Sequence, residues 1–200
     1  QVQVLDQQGV FLTSPEIDVD WAPMAWLGNT LAIDSLTAER VDLVRLPRLK
    51  PSTKKGPILP GFDIRIGELR IDRLNIGAAV SGKPRSGRLT GKADIRAGRA
   101  LVQLDAFITD GGDKIHLDLD AEPDRDKFGI EARVASPADG LVPALLGTRR
   151  AIDFSAGGSG SWTRWRGMAA LNLSGRPTLR LALGADSGRY RIDGTCAPAQ

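Results

Sequence analysis

The chain has 200 residues, 42% hydrophobic, 26% charged and 5% aromatic, with a formal net charge of +3 and a pI near 9.3. That apolar content excludes intrinsic disorder, and arginines spread among comparable numbers of acids lack the concentrated basic stripe of a nucleic-acid binder. A single cysteine, Cys196, excludes an intrachain disulfide and a cysteine metal site, while 23 glycines and 12 prolines favour a turn-rich, all-β chain.

Alternation begins at once. Val2 to Asp6 and Val10 to Leu12 read as two strands joined at the turn Gln7-Gln8-Gly9. With Gln as residue 1, this start suggests a piece cut from a longer protein, with any membrane anchor upstream. The first residues do not form a signal peptide, and no stretch is long and apolar enough to cross a bilayer. After Pro15, Ile17-Asp-Val19-Asp-Trp21 alternates cleanly, and Ala22 to Leu27 reads as one helical turn before Gly28-Asn29.

The hexad Leu-x-Ile-Asp-x-Leu then occurs twice, at Leu31–Leu36 and Leu69–Leu74. A period of two puts Leu and Ile on one face of a strand, and the second Leu falls out of phase, which predicts a bulge or bend at each Asp. Between the copies, Arg48 to Gly61 is rich in Pro and Lys. It reads as a solvated loop rather than a phosphate site, and it divides residues 1–47 from 62–200. Ser81 to Gly87 reads as a turn, followed by strands over Leu89–Ile95 and Val102–Ala106 and a turn at Asp110–Asp113. Ile115–Ala121 and Phe128–Val134 flank Pro123–Asp126 as an antiparallel hairpin.

A short helix is predicted over 137–147, capped by Ser136, with Pro137 at its first position and Gly147 at its end. Strands return at Ile152–Phe154, Met168–Leu173, Leu179–Leu183 and Tyr190–Ile192, and Gly157-Gly-Ser-Gly160 reads as a flexible connection. Cys196 falls in a tail expected to fray. A dozen short strands with one helix describe an antiparallel β architecture, because parallel strands need crossovers that are usually helical.

Catalytic chemistry finds little footing. The one histidine, His116, shares a strand face with Asp118 and Asp120 and reads as a solvated surface residue, so Ser/His/Asp and Cys/His constellations lack members. The pairs Asp18/Asp20, Asp118/Asp120 and Asp124/Asp126 are carboxylates on wet faces rather than metal ligands. Asn172-Leu-Ser174 matches a glycosylation sequon in mid-strand. Trp21, Trp26, Trp162 and Trp165 read as caps over sheet ends, with membrane-interface or carbohydrate stacking as the functional alternative. No enzyme, catalytic residue, cofactor or metal is expected.

The order of motifs from Gly9 to Pro47 runs Gly-Val-Phe-Leu, Ile-Asp-Val-Asp-Trp, Trp-Leu, then Leu-x-Ile-Asp-x-Leu-x-Ala-Glu-Arg-Val-x-Leu-x-Arg-Leu-Pro. With Pro60–Ile66, the second hexad through Gly77, Leu89-Thr-Gly91 and the Ser136-Pro137 helix start, it resembles the TamB/AsmA-like family over about three quarters of the chain, fading after Trp165. The resemblance implies a non-enzymatic periplasmic protein of a Gram-negative bacterium, anchored to the inner membrane. It also implies an elongated antiparallel sheet curved into an open, taco-like groove with an apolar inside. Partners implied are phospholipid acyl chains along the groove and an outer-membrane BamA-type barrel in outer-membrane protein assembly. Attachment and barrel contact would belong to parts of the protein outside these residues.

An open sheet with one apolar face must cover it with a second layer or a ligand. The candidate lining is Ile64, Ile66, Ile115, Leu117, Leu119, Phe128, Ile130 and Val134. Ordinary core of a closed β-sandwich, an interaction module binding a protein through a strand edge, is the alternative for the same residues.

Overall fold

Apolar residues at every second position place most of this chain in strands, and the computed structural model, which describes residues 1–48, 62–96 and 98–197, is all-β. The chain forms two compact units, Gln1–Ala97 and Gly98–Gln200. In each, the strands make an open sheet that does not close on itself. The Pro- and Lys-rich segment expected as a loop lies, from residue 49 to 61, outside the described residues.

The first unit contains β1 (Val2–Asp6), β2 (Gly9–Ser14), β3 (Asp18–Trp21), a 3₁₀ turn (Pro23–Gly28), β4 (Thr30–Leu43), β5 (Asp63–Ile76), the single-turn helix α1 (Ala78–Ser81) and β6 (Arg85–Arg96). The strand order is β1-β2-β4-β5-β6, with β3 also on β4. One pair breaks the antiparallel expectation: β4 and β5 run parallel, in a constant register from Thr30↔Asp63 to Leu43↔Ile76. A strand of 14 residues spans about 46 Å. The chain between Leu43 and Asp63 is long enough to return that distance without a helix. The segment expected as a turn at 81–87 is also shorter, because Arg85, Ser86 and Gly87 already pair in β6.

Both hexads carry the expected bulge. The β3–β4 register shifts between Asp20 and Trp21, opposite Asp34, and the β5–β6 register shifts between Ile71 and Leu74, across Asp72. A further shift lies between Ile66 and Leu69, level with Asp34 across the parallel pair. There the backbones approach so closely that a Cβ on Gly67 would sit 2.7 Å from the Asp34 carbonyl oxygen. Glycine is required at that crossing.

The second unit is an antiparallel meander of β7 (Arg99–Ile108), β8 (Asp113–Glu122), β9 (Lys127–Ser136), β10 (Ile152–Gly160), β11 (Arg164–Leu173), β12 (Arg176–Asp186) and β13 (Arg189–Cys196). A 3₁₀ turn (Pro123–Arg125) joins β8 to β9, and the helix α2 (Leu141–Leu145) lies between β9 and β10. The two-residue hairpins Ser174-Gly175 and Ser187-Gly188 hold both residues at positive φ. Such turns match the right-handed twist of the strands they join.

Three local expectations are corrected here. The helix expected over 137–147 is confined to Leu141–Leu145, and its cap is remote: the Leu141 and Val142 N–H groups donate to the Asp113 carboxylate at 2.9 and 3.0 Å. Ser136 does not cap it but donates its hydroxyl to the same carboxylate. The Gly157–Gly160 run is not a flexible connection, because β10 continues through it with every residue paired on both sides. Cys196 is not frayed; it ends β13 paired with Leu179, and it is exposed.

Candidate functional site: the apolar face of the second unit

Alternation in β7 to β13, with one register shift at Leu171/Asn172, sorts the side chains by face. Register carries Val102, Leu104 and Ala106 of β7 onto Leu119, Leu117 and Ile115 of β8, and these onto Ile130, Ala132 and Val134 of β9. The same rows continue through Gly158, Ala156 and Phe154, then Gly167, Ala169 and Leu171, to Leu183, Leu181 and Leu179. Across these rows every side chain on that face is apolar or absent.

The opposite face is charged and internally paired. His116 Nδ1 lies 2.8 Å from Asp105, the Gln103 amide donates to Asp118 at 3.0 Å, and Lys127 donates to Asp120, which raises the lysine pKa. Thr163 donates its hydroxyl to Asp126 and holds that carboxyl below its usual range. Among the described residues no three His, Cys, Asp or Glu side chains gather where a metal ion could be held.

Of the eight residues singled out for the groove, the structure brings six onto this one face: Ile115 opposite Val134, Leu119 opposite Ile130, Leu117 opposite Ala132, and Phe128 opposite Ala121. Ile64 and Ile66 belong to the first unit, between Leu31 and Ile33 of β4 and Ile95 and Ala93 of β6. All eight are half-buried; none is fully covered. Sequence reasoning missed Leu104, Phe154, Leu171, Leu181 and Trp165 of the same face, although their period of two was the signal that marked the others.

The two ends of the face differ. At one end Asp113, fully buried, ties down α2, and Ile108, Leu141, Pro143 and Ile152 around it are buried. At the other end Trp165 lies over a bed of glycine. A Cβ on Gly158 would meet its Cζ2 at 2.1 Å, and one on Gly167 would meet its Cη2 at 2.3 Å. The indole therefore leans inward along β10 and β11, flat on a floor that any side chain would disrupt.

Phe128 packs beside it, with ring centroids 6.0 Å from Trp165 and 4.8 Å from Trp162. Phe128, Trp162, Trp165, Leu183, Tyr190 and Ile192 line a cleft of about 440 Å³ at this end, with Arg191 on its wall. That volume falls within the range of small-ligand sites. The Trp165 Nε1 is buried with no hydrogen-bond partner among the described residues.

In the first unit, Met24, Trp26 and Leu27 of the 3₁₀ turn are exposed, and Trp26 meets Phe62 edge-on, at 5.8 Å between centroids. Comparison with protein-family models, with curated proteins and with solved structures finds no match to this chain.

Proposed function

We propose that this chain is a non-enzymatic groove segment of a TamB/AsmA-like protein of the periplasm, carrying phospholipid acyl chains along the apolar face of its second unit in support of outer-membrane biogenesis. The observation that carries the reading is the half-exposure of the apolar rows that run from Val102, Leu104 and Ala106 across to Leu183, Leu181 and Leu179. Seven strands at about 4.8 Å spacing make that face roughly 29 Å across. Contiguous apolar surface of this kind marks a place where a ligand or partner docks. An acyl chain laid on it gains roughly 0.8 kcal/mol per buried methylene and asks for no specific polar contact. The family assignment rests on the order and spacing of the motifs between Gly9 and the second hexad. Anchoring in the inner membrane and contact with a BamA-type barrel belong to the same proposal and to other parts of such a protein.

The test is native mass spectrometry of the 200-residue chain expressed in a Gram-negative host. Co-purified phospholipid is expected. Ala132→Trp, which fills the middle of the face without adding charge, should abolish it while the circular dichroism melt stays cooperative. Leu117→Asp should also lose lipid. A wild-type chain that is folded and lipid-free sinks the reading.

The second reading, a protein partner added along a strand edge, rests on β13. Its outer edge has no partner among the described residues, and Tyr190 and Ile192 are 83% and 69% exposed. The closed sandwich that accompanied this reading does not describe the second unit, whose sheet is open.

A further inference from the structure

We infer that β13 is a self-pairing edge: two copies of this chain add β13 to β13, antiparallel, about a twofold axis at Ile192. The inference rests on the strand-edge reading above, names the partner that reading leaves open, and needs no lipid.

The ladder shows which backbone groups are on offer. The β12–β13 hairpin closes with Asp186 opposite Arg189, and beyond its far end the Ala197 N–H donates to the Thr178 carbonyl at 2.8 Å. Bonded and non-bonded pairs alternate along an antiparallel ladder, so the odd-numbered residues of β13 turn their N–H and C=O groups to β12. Tyr190, Ile192, Gly194 and Cys196 aim theirs outward. Nothing blunts this edge. β13 keeps one register along its length and holds no proline or lysine, whereas β1, an edge of the first unit, has five residues and shifts register between Val4 and Leu5.

The side chains choose the occupant and the register. Setting Ile192 against its own copy puts Arg191 opposite Asp193 of the second copy, and Asp193 opposite its Arg191. Within one chain these two meet only at 3.8 Å with both side chains mostly exposed, which leaves both able to turn across the edge. The same register lays Tyr190 beside Gly194, whose Cβ is forbidden by the Arg180 carbonyl oxygen, and an aromatic ring covers such a gap. Sliding the second strand by two residues, the smallest step that keeps the outward groups bonded, sets Arg191 against Arg191 or Asp193 against Asp193. Charge therefore selects one register, and every contact in it occurs twice, as a closed twofold pair requires. Opposed residues share a face, so the exposed Tyr190 and Ile192 of both copies stay on the apolar side and the two faces join.

The experiment is sedimentation of the 200-residue chain over a range of concentrations, read beside hydrogen exchange at the β13 amides. A monomer–dimer equilibrium is expected, with the Tyr190, Ile192 and Gly194 amides protected only as the dimer forms. Ile192→Pro removes a donor that β12 does not use, so it should abolish the dimer while the melt stays cooperative. Arg191→Asp and Asp193→Arg should each weaken the dimer about tenfold, from two exposed pairs at about threefold each. An equimolar mixture of those two variants should regain it. Ile192→Cys in a Cys196→Ser chain should be joined by a short bis-maleimide; the wild-type Cys196, about 26 Å from its own copy in this register, should not. A chain that stays monomeric, with those amides exchanging freely, overturns self-pairing and leaves the edge to another protein. Amides protected in the monomer mean that the edge is not free, which overturns the strand-edge reading as well. A dimer that survives Ile192→Pro, or an open-ended polymer that pairs β13 with β1, also overturns the inference.

Discussion

The two units keep one sheet face apolar by different means. In the first, β4 and β5 carry apolar residues in pairs separated by two others: Leu31/Ile33, Leu36/Ala38 and Val41/Leu43 beside Ile64/Ile66, Leu69/Ile71 and Leu74/Ile76. Each interruption would flip the following residues to the wet face if the strand stayed regular. Because the parallel register is constant, both strands are interrupted at the same levels. The regular strand β6 follows β5 through two register shifts. In the second unit alternation is unbroken from β7 through β10, and the first irregularity in pairing lies at Leu171/Asn172. Bulged strands depend on close backbone approach; regular strands leave their face open and depend on what is fastened over it.

The most damaging way to break that contrast is to remove the fastening in the second unit. Asp113 is fully buried and accepts from two backbone N–H groups and one hydroxyl, while Gly140 leaves room for its Oδ1, which a Cβ there would approach to 2.6 Å. Asp113→Ala strands these donors. A loss on the order of 3 kcal/mol in urea unfolding is expected. Hydrogen exchange should show lost protection over α2 and the start of β10 while the first unit is spared. A loss below about 1 kcal/mol, or protection lost equally in the first unit, would mean that α2 is not held as described.

What the sequence made legible follows the same division. Period-two alternation placed six groove residues on a single face because nothing in β8 or β9 interrupts it. The bulges at Asp34 and Asp72 were legible because each hexad puts a Leu out of phase. The parallel β4–β5 pair was hidden, since alternation says which face a residue takes but not which way its neighbour runs. The cap on α2 was hidden because its donor and acceptor lie far apart in sequence, and Ser136, the local candidate, turned out to serve Asp113. The glycine run at 157–160 was misread because glycine commonly marks a linker; its use here depends on Trp165, a residue of the next strand.

Two glycines sharpen the comparison at smaller cost. Gly67 in the first unit faces a carbonyl at a distance no Cβ tolerates, whereas Gly129 in β9 has its nearest neighbour, the Asp120 carbonyl oxygen, at 3.7 Å. Gly67→Ala should destabilise by about 1–3 kcal/mol, since both backbones must move. Gly129→Ala should be neutral or stabilise by about 0.4–1 kcal/mol by restricting the unfolded chain. Equal effects at the two sites would erase the distinction between bulged and regular strands.

The gentlest probe is pH, and it reports on the first unit. The Asp6 carboxylate, at the end of β1, accepts from both terminal nitrogens of the Arg45 guanidinium, from the Arg48 N–H at 2.7 Å and from the Gln8 N–H at 2.7 Å. The Arg45 hydrogen bonds, foremost, hold its carboxyl far below the ordinary carboxylate range. A carboxyl whose pKa is depressed on folding stabilises the native state above its unfolded pKa, about 4. That contribution fades as pH falls from there toward the depressed folded value. Asp6→Asn keeps the shape but not the charge, so it should be less stable than wild type at pH 7, with the difference shrinking steadily below about pH 4. His116, whose partner Asp105 is on the second unit's wet face, gives the matching control: the difference between Asp6→Asn and wild type should be unchanged in a His116→Ala background. A difference that stays constant from pH 7 to the acid limit would show that Asp6 acts through packing, and that the ion pair at the turn after β1 does not help hold the first unit together.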